Sequence, residues 1–216
     1  MIYTYSFGQS GWNLIIQPYY GANTSNFTIF NAANPNGITA RFNEDDLKGV
    51  VLSVGNPNFT LRGTYADVKL TGFIPGGPTI FSSDSSSYYS VGLKWTIDHI
   101  LIIGEYAERS TPSEIASLIG YYGTLGYRFG DFTPIFTYAR LKTTNADRLA
   151  ISPFTSERPQ DQESYTLGLD YTINSNLAVK ASVGYITPLN GTFGLFDSNP
   201  GRKHILLYGV SIDAIF

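Results

Sequence analysis

The chain has 216 residues, of which 43% are hydrophobic, 15% aromatic and 14% charged, and its formal net charge is −3. This small negative charge does not favour nucleic acid as a partner, and the absence of cysteine excludes disulfide frameworks and thiolate metal sites. No apolar run approaches the roughly 18–20 residues of a membrane-spanning helix, so any membrane insertion must use strands.

Eleven strands are predicted, joined alternately by very short turns and by longer polar connections. We place the strands at residues 2–7, 12–20, 47–55, 58–71, 88–97, 99–109, 114–129, 132–142, 163–173, 177–187 and 203–216. The short turns contain the Gly, Asn, Asp and Pro residues of tight hairpins, and they lie at 8–11, 55–58, 97–99, 130–131 and 174–176. The long connections are rich in Asn, Ser, Pro and Gly, and they lie at 21–46, 72–87, 143–161 and 189–201. No helix is predicted, and two extended runs within 21–46 are expected either to form a small hairpin or to fold into the mouth of a pore.

The last predicted strand separates apolar from polar side chains. Its even positions, from Leu206 to Ala214, are apolar or aromatic, whereas Gly209, Ser211 and Asp213 are small or polar. Because side chains alternate along a strand, these two sets lie on opposite faces of a sheet. Segments 163–173 and 177–187 repeat this pattern. An apolar outside with a polar inside is the arrangement of a β-barrel in lipid.

A soluble β-sandwich also alternates, but its inner face is dry. Here charged residues occupy the middle of predicted strands, namely Lys94, Glu105, Asp170, Lys180 and Asp213. Burying such charges without partners is costly. We therefore predict an all-β fold, an antiparallel transmembrane β-barrel that occupies residues 1–216 as a single domain.

Aromatic residues favour the same fold because they gather near both ends of the predicted strands. Near the short turns lie Phe7, Trp12, Phe59, Trp95, Phe129, Phe132, Tyr171 and Phe216. Nearer the long connections lie Tyr20, Tyr65, Tyr89, Tyr106 and Tyr185. Two such rings are typical of the two membrane–water interfaces of a barrel. Aromatic residues are also good strand formers in general, so their clustering at the strand ends is what favours the rings.

The odd strand count predicts that the chain is part of a longer barrel. The first and eleventh strands run in the same direction, whereas bacterial single-chain barrels pair an even number of antiparallel strands. The chain also opens directly on an alternating strand, without a signal peptide. We expect an N-terminally truncated precursor that lacks at least one upstream strand.

Several segments resemble a repeated theme of one protein family. Residues 45–52 followed by 58–65, together with 126–134, 137–140 and 164–171, are similar to segments of Gram-negative outer-membrane porins, either general or phosphate-selective-like. The resemblance implies a sixteen-stranded barrel, often a homotrimer, of which this chain would supply the last eleven strands. The terminal Phe216 resembles the recognition signal for the outer-membrane assembly machinery. The loop that narrows the pore usually belongs to the missing N-terminal part, so the resemblance implies no constriction here.

The alternation also assigns candidate pore-lining residues to the inner face. They are Arg62, Lys94, Glu105, Arg109, Arg128, Arg140, Asp170, Lys180 and Asp213. Their excess of basic groups predicts a mild anion preference, since fixed charges concentrate counter-ions in a pore. Alternatively, the basic and acidic residues pair across the barrel wall, in which case they keep the lumen hydrated without setting an ion preference. The position of Arg140 is uncertain because its strand has apolar residues on both faces.

The predicted function is therefore a porin of the bacterial outer membrane, a water-filled channel for passive diffusion of small hydrophilic solutes. Its expected partners are outer-membrane lipid and lipopolysaccharide, the assembly machinery and those solutes, without nucleic acid. One alternative is a non-conducting structural or adhesive barrel, although the many inner Gly, Ser and Thr residues leave room for water.

Catalysis finds little support in the sequence, although a hydrolase is a further alternative. His99 lies in a tight turn and His204 at a strand start, and neither has an evident partner. No catalytic, metal-ligating or cofactor-binding residue is predicted. The acidic residues at 44–46 could bind calcium, but they lack the spacing of a calcium loop and are expected to be a solvated loop.

Overall fold

The computed structural model describes residues 3–7, 11–31, 34–111, 115–151, 159–196 and 199–214. They form one antiparallel sheet of eleven strands in chain order. The strands are β1 (Tyr3–Phe7), β2 (Trp12–Asn31), β3 (Asn34–Asn56), β4 (Phe59–Phe73), β5 (Thr79–Ile97), β6 (Ile100–Ser110), β7 (Leu118–Tyr127), β8 (Phe132–Thr143), β9 (Gln162–Asn174), β10 (Leu177–Pro188) and β11 (Ile205–Ala214). Each strand pairs with its neighbours in the chain, and β1 and β11 form the two edges of the described sheet.

The predicted short turns are confirmed where the structure describes them. Residues 57–58, 98–99 and 175–176 each connect two strands directly. The side chain of Asn56 accepts hydrogen bonds of 2.9 Å from the backbone N–H groups of Asn58 and Phe59. Asn174 accepts a similar bond of 2.9 Å from Asn176. These side chains close the turns, which is the physical reason that Asn is favoured there. Residues 8–10 of the first predicted turn lie outside the described residues.

Two of the predicted long loops are instead extensions of the sheet. The β2–β3 ladder continues from the pair Asn13 and Gly55 to the pair Asn31 and Asn34. The alternative of a hairpin within 21–46 is therefore confirmed, whereas the prediction of a loop around it is wrong. Likewise, β4 ends at Phe73 and β5 begins at Thr79, which reduces the predicted 72–87 loop to residues 74–78. Backbone hydrogen bonds do not require apolar side chains, so polar residues continue a ladder once neighbouring strands are aligned.

One short helix interrupts the all-strand pattern. It is α1 (Ala146–Ile151), within the predicted 143–161 connection, where the sequence shows no amphipathic helical pattern, and the fold remains all-β as predicted. Six residues are too few for a helical period to be recognised in the sequence. Among the described residues, no helix has the length and apolarity needed to cross a membrane.

The sheet is strongly curved. Leu101 of β6 and Lys180 of β10 line the same cavity, of about 650 Å³, although their strands are four positions apart. We call this side the concave face. The opposite, convex face exposes large apolar side chains: Val91 is 54% exposed, Leu125 57% and Leu167 60%. A soluble sheet would bury such side chains, whereas a lipid-facing surface exposes them.

Aromatic side chains border the convex apolar band at both ends. On five strands an aromatic residue near the short turn is followed six positions away by a tyrosine, in the pairs Phe59 and Tyr65, Trp95 and Tyr89, Tyr127 and Tyr121, Phe132 and Tyr138, and Tyr171 and Tyr165. Six residues of strand span about 20 Å, close to the roughly 25 Å apolar band of outer-membrane barrels. Of these tyrosines, Tyr121, Tyr138 and Tyr165 were not predicted in the ring. Phe216 and the side chain of Phe7 lie outside the described part of the chain.

Candidate functional site on the concave face

The strand register decides which charged side chains share the concave face. Arg62 pairs across the sheet with Gly92, and Gly92 pairs with Glu105, so Arg62 and Glu105 lie on one side. Eight of the nine predicted pore-lining residues lie there, namely Arg62, Lys94, Glu105, Arg109, Arg128, Asp170, Lys180 and Asp213. For these eight residues, the face predicted from the alternation is the face on which the structure places them.

Arg140 lies on the convex face, and its predicted place among the pore-lining residues is wrong. Its cross-strand neighbours are Tyr121 and Glu163, and its Nη1 atom lies 3.3 Å from Oε2 of Glu163. The concave positions of β8 are instead the odd ones, as the hydrogen bond of 2.8 Å between the hydroxyls of Thr124 and Thr137 illustrates. Because both faces of β8 carry apolar residues, alternation alone could not orient this strand.

Three charges lie near one another on the concave face of β4, β5 and β6. Arg62, Lys94 and Glu105 line a cavity of about 460 Å³ on strands β4, β5 and β6. Hydroxyl-bearing side chains complete the lining, among them Thr60, Thr64, Ser90 and Tyr122. No ion pair among the described residues joins Arg62 or Lys94 to Glu105. These three charges therefore line the cavity without forming ion pairs with one another.

A second group of charges lies toward the short turns and is partly paired. Arg128, Asp170, Lys180 and Asp213 line the cavity of about 650 Å³. Nζ of Lys180 lies 2.5 Å from Oδ2 of Asp213, so these two charges neutralise each other. Asp131, in the turn between β7 and β8, lines the same cavity. The concave face thus carries an ion pair on β10 and β11, and charges without an ion-pair partner among the described residues on β4, β5 and β6.

Hydrogen bonds connect successive loops at the other end of the sheet. Asn145 accepts a 2.7 Å bond from the backbone N–H of Ser117 and donates a 2.9 Å bond to the carbonyl of Ile115. Asp161 is only 6% exposed, and its carboxylate accepts bonds from the backbone N–H of Thr143, at 2.7 Å, and from the side chain of Asn190. The sequence analysis missed these residues, since Asn and Asp in a polar segment look like ordinary loop residues.

The histidines and acidic residues considered for catalysis or metal binding lie far apart in the structure. His204 lies 3.1 Å from the hydroxyl of Thr187 and stacks on Tyr185, whereas His99 contacts Tyr127 beside the opposite turns. No group of three or more His, Cys, Asp or Glu side chains in the described ranges could hold a metal ion. The acidic residues at 44–46 belong to β3 at a bulge, so the expectation of a loop there is wrong, although Asp45 and Asp46 are exposed to solvent as expected.

Comparison with known proteins bears on the fold. No protein-family model matches the sequence, and no curated protein matches it either. Among solved structures, the chain is similar to a loop L8 deletion mutant of OmpT, an outer membrane protein of Vibrio cholerae, with a TM-score of 0.50 and 11% sequence identity. That match covers 94% of this chain and 62% of the other, so this chain spans about three fifths of its length.

Two further solved structures have lower TM-scores. The KdgM porin has a TM-score of 0.40 at 12% identity and covers 100% of this chain and 98% of its own. The outer-membrane expressed OmpT of Vibrio cholerae has a TM-score of 0.42 at 12% identity, with coverages of 82% and 54%. The likeness to the OmpT deletion mutant, together with the exposed apolar convex face, shows the antiparallel fold of bacterial outer-membrane β-barrel proteins. This fold agrees with the outer-membrane location predicted from the sequence.

Proposed function

We propose that the chain is part of an outer-membrane porin, a water-filled channel through which small hydrophilic solutes diffuse passively. The observation that carries the proposal is the opposite character of the two faces of the same strands. On β9, Leu167 and Leu169 are exposed on the convex face, while Asp170 lines a cavity on the concave face. Such strands are stable when lipid covers one face and water fills the space beside the other.

Small and hydroxyl-bearing side chains on the concave face support an open lumen. Between its charged residues lie Thr64, Ser90, Gly92 and Thr124, which leave cavities of several hundred Å³ beside the sheet. Barrels with no open lumen fill that space with bulky side chains instead. The proposal therefore favours a conducting barrel over a structural or adhesive one.

The unpaired charges on β4, β5 and β6 are proposed to set the ion preference. Lys180 and Asp213 form an ion pair, whereas Arg62 and Lys94 have no ion-pair partner among the described residues. Their positive charge exceeds that of the nearby Glu105 and would raise the local concentration of anions. We propose a mild preference for anions over cations.

Planar-bilayer recording of the full-length protein tests the channel. Discrete current steps on insertion are expected if solutes and ions cross through the lumen. Insertion without current steps would contradict the porin proposal and favour the non-conducting structural or adhesive barrel. Insertion is verified independently by protection of the strands from protease added to the vesicles.

Reversal potential in a salt gradient tests the ion preference. The double variant Arg62→Gln and Lys94→Gln should shift the reversal potential toward cation preference, because it leaves Glu105 without nearby positive charges. The double variant Arg140→Gln and Lys142→Gln removes the same two positive charges from the convex face and should leave the potential unchanged. A cation preference of the unsubstituted protein, or equal shifts in both variants, would contradict the assignment.

The convex face suggests how the protein would contact its membrane. Just beyond the tyrosines at the loop end lie Lys48, Arg140 and Lys142, on the same face as the apolar band. Basic groups next to a ring of tyrosines can bind phosphates of lipid or lipopolysaccharide headgroups. A homotrimer, and recognition of Phe216 by the assembly machinery, remain predictions of the family resemblance.

A further inference from the structure

The concave face changes character along the strands. On β4 its side chains are Thr60, Arg62 and Thr64 in the half nearer the short turn, but Ala66, Val68 and Leu70 in the half nearer the loop end. The extended β2–β3 hairpin adds two more apolar side chains to this region, Phe42 and Leu47. On β4 and at these two positions of β3, the part of the face nearest the loops is therefore apolar, which neither a uniformly wet wall nor the lipid-facing pattern explains.

These apolar side chains enclose a defined space, which we call the loop-end cavity. Its volume is about 470 Å³, and its apolar walls are Phe42, Leu47, Ala66, Val68, Leu70 and Ile115. Cavities of about 300–1,000 Å³ with apolar walls and a few polar groups are typical of small-molecule sites. The ring of Phe42 lies 5.6 Å from that of Phe81, which supports this wall from β5.

Arg109 supplies a charged group on the β6 side of the loop-end cavity. Its Nε and Nη2 atoms donate hydrogen bonds of 3.1 and 2.6 Å to the carbonyl oxygen of Ala116, which hold the guanidinium in one orientation. Beside it the hydroxyls of Ser86 and Thr111 are 2.9 Å apart, and Thr111 is only 2% exposed. No described carboxylate forms an ion pair with Arg109. A planar guanidinium held in place is well suited to bind a carboxylate.

We propose that the loop-end cavity binds a small amphipathic carboxylate, with its apolar body against Phe42, Val68 and Leu70 and its carboxylate on Arg109. Glu44 also lines the cavity. Its carboxylate accepts a 3.4 Å hydrogen bond from Asn23 on the β2–β3 hairpin, and no ion pair among the described residues joins it to Arg109. The apolar body is required because water competes well for a carboxylate alone. Of the charged residues assigned to the channel lining, this site shares Arg109, but it uses neither Arg62 nor Lys94, and binding there does not require conduction.

Fluorine NMR titration of the full-length protein in lipid nanodiscs tests the site, with para-fluorobenzoate as the probe and empty nanodiscs as the reference. Saturable line broadening is expected for para-fluorobenzoate. At least about tenfold weaker binding is expected for fluoroacetate, which lacks the ring, and for para-fluorobenzyl alcohol, which lacks the charge. Equal binding of the three probes, or no binding beyond empty nanodiscs, would overturn the proposal.

Variants separate the two halves of the site. Arg109→Gln and the double variant Val68→Asn with Leu70→Asn should each weaken para-fluorobenzoate binding by about tenfold or more, since each removes one class of contact. Arg109→Lys keeps the charge and should retain part of the affinity even if the loop at Ala116 shifts. Arg140→Gln, on the convex face, is the matched control and should bind as the unsubstituted protein does. Unchanged binding in both cavity variants would overturn the proposal, and current steps recorded on the same samples report separately on the porin function.

Discussion

Arg140 and Glu163 form an ion pair on the convex face, with 3.3 Å between Nη1 and Oε2. Each lies two residues beyond a ring tyrosine, Arg140 after Tyr138 on β8 and Glu163 before Tyr165 on β9. The charged groups thus begin where the apolar band ends, as they would at the border between hydrocarbon and lipid headgroups.

The orientation of β9 can be tested by placing the same charge on either face. Leu167→Arg puts a charge in the middle of the convex band and should lower the free energy of unfolding by about 2–4 kcal/mol. Thr166→Arg, on the concave face, should change it by less than about 1 kcal/mol, since water can solvate the new group there. Urea unfolding in lipid vesicles measures both, and equal losses in the two variants would contradict the assignment of faces.

The ion pair of Arg140 and Glu163 should contribute modestly to stability. A double-mutant cycle with Arg140→Gln and Glu163→Gln is expected to give a coupling free energy of about 0.5–1 kcal/mol, because both side chains retain access to the interface. The coupling should decrease at high salt, which screens partly exposed charges. A coupling that is absent at low salt would indicate that the pair does not form in the membrane.

The carboxylate of Asp161 should hold the loops after β8 and β10 together. In Asp161→Asn the new amide can still accept a hydrogen bond from Thr143 but brings an NH₂ group into a nearly buried site that now receives Asn190. We expect a loss of about 1–3 kcal/mol, seen as faster amide hydrogen exchange at Thr143 and its neighbours. Asp131→Asn, in an exposed turn, is the control. Unchanged exchange at Thr143 would show that the carboxylate does not order these loops.

Two glycines should respond oppositely to alanine. A Cβ atom on Gly49 would meet the ring of Tyr19 and lie 2.5 Å from the carbonyl oxygen of Tyr65, whereas one on Gly123 would meet nothing within 4 Å. Gly49→Ala should therefore destabilise the sheet by about 1–3 kcal/mol. Gly123→Ala should be tolerated or slightly stabilising, because alanine restricts the unfolded chain. The measurement is the free energy of unfolding of each variant. Equal changes in the two variants would contradict the close approach of β2, β3 and β4 at Gly49.

Local alternation predicted most of the membrane-facing architecture. The two faces of segments 163–173 and 177–187 were assigned correctly because every second residue there is apolar and the others are small or polar. On β8 both faces are apolar, so the same reasoning misplaced Arg140, and only pairing with β7 and β9 oriented the strand. The hairpin between β2 and β3 was one of two alternatives in the sequence, but its continuity with the flanking strands was not predicted, because a polar ladder is stabilised by backbone bonds that leave no apolar pattern.

The sequence by itself determined that most strands are long enough to cross a membrane. It also determined that their outer side chains are apolar and that charge lies opposite them, because a period of two residues is a property of each strand alone. Only the tertiary structure decided which charges meet, such as Lys180 with Asp213, and that a loop-end cavity forms between β3, β4, β5 and β6. These features depend on the register between strands and on the curvature of the sheet. Both arise from contacts between residues far apart in the chain, which no local pattern encodes.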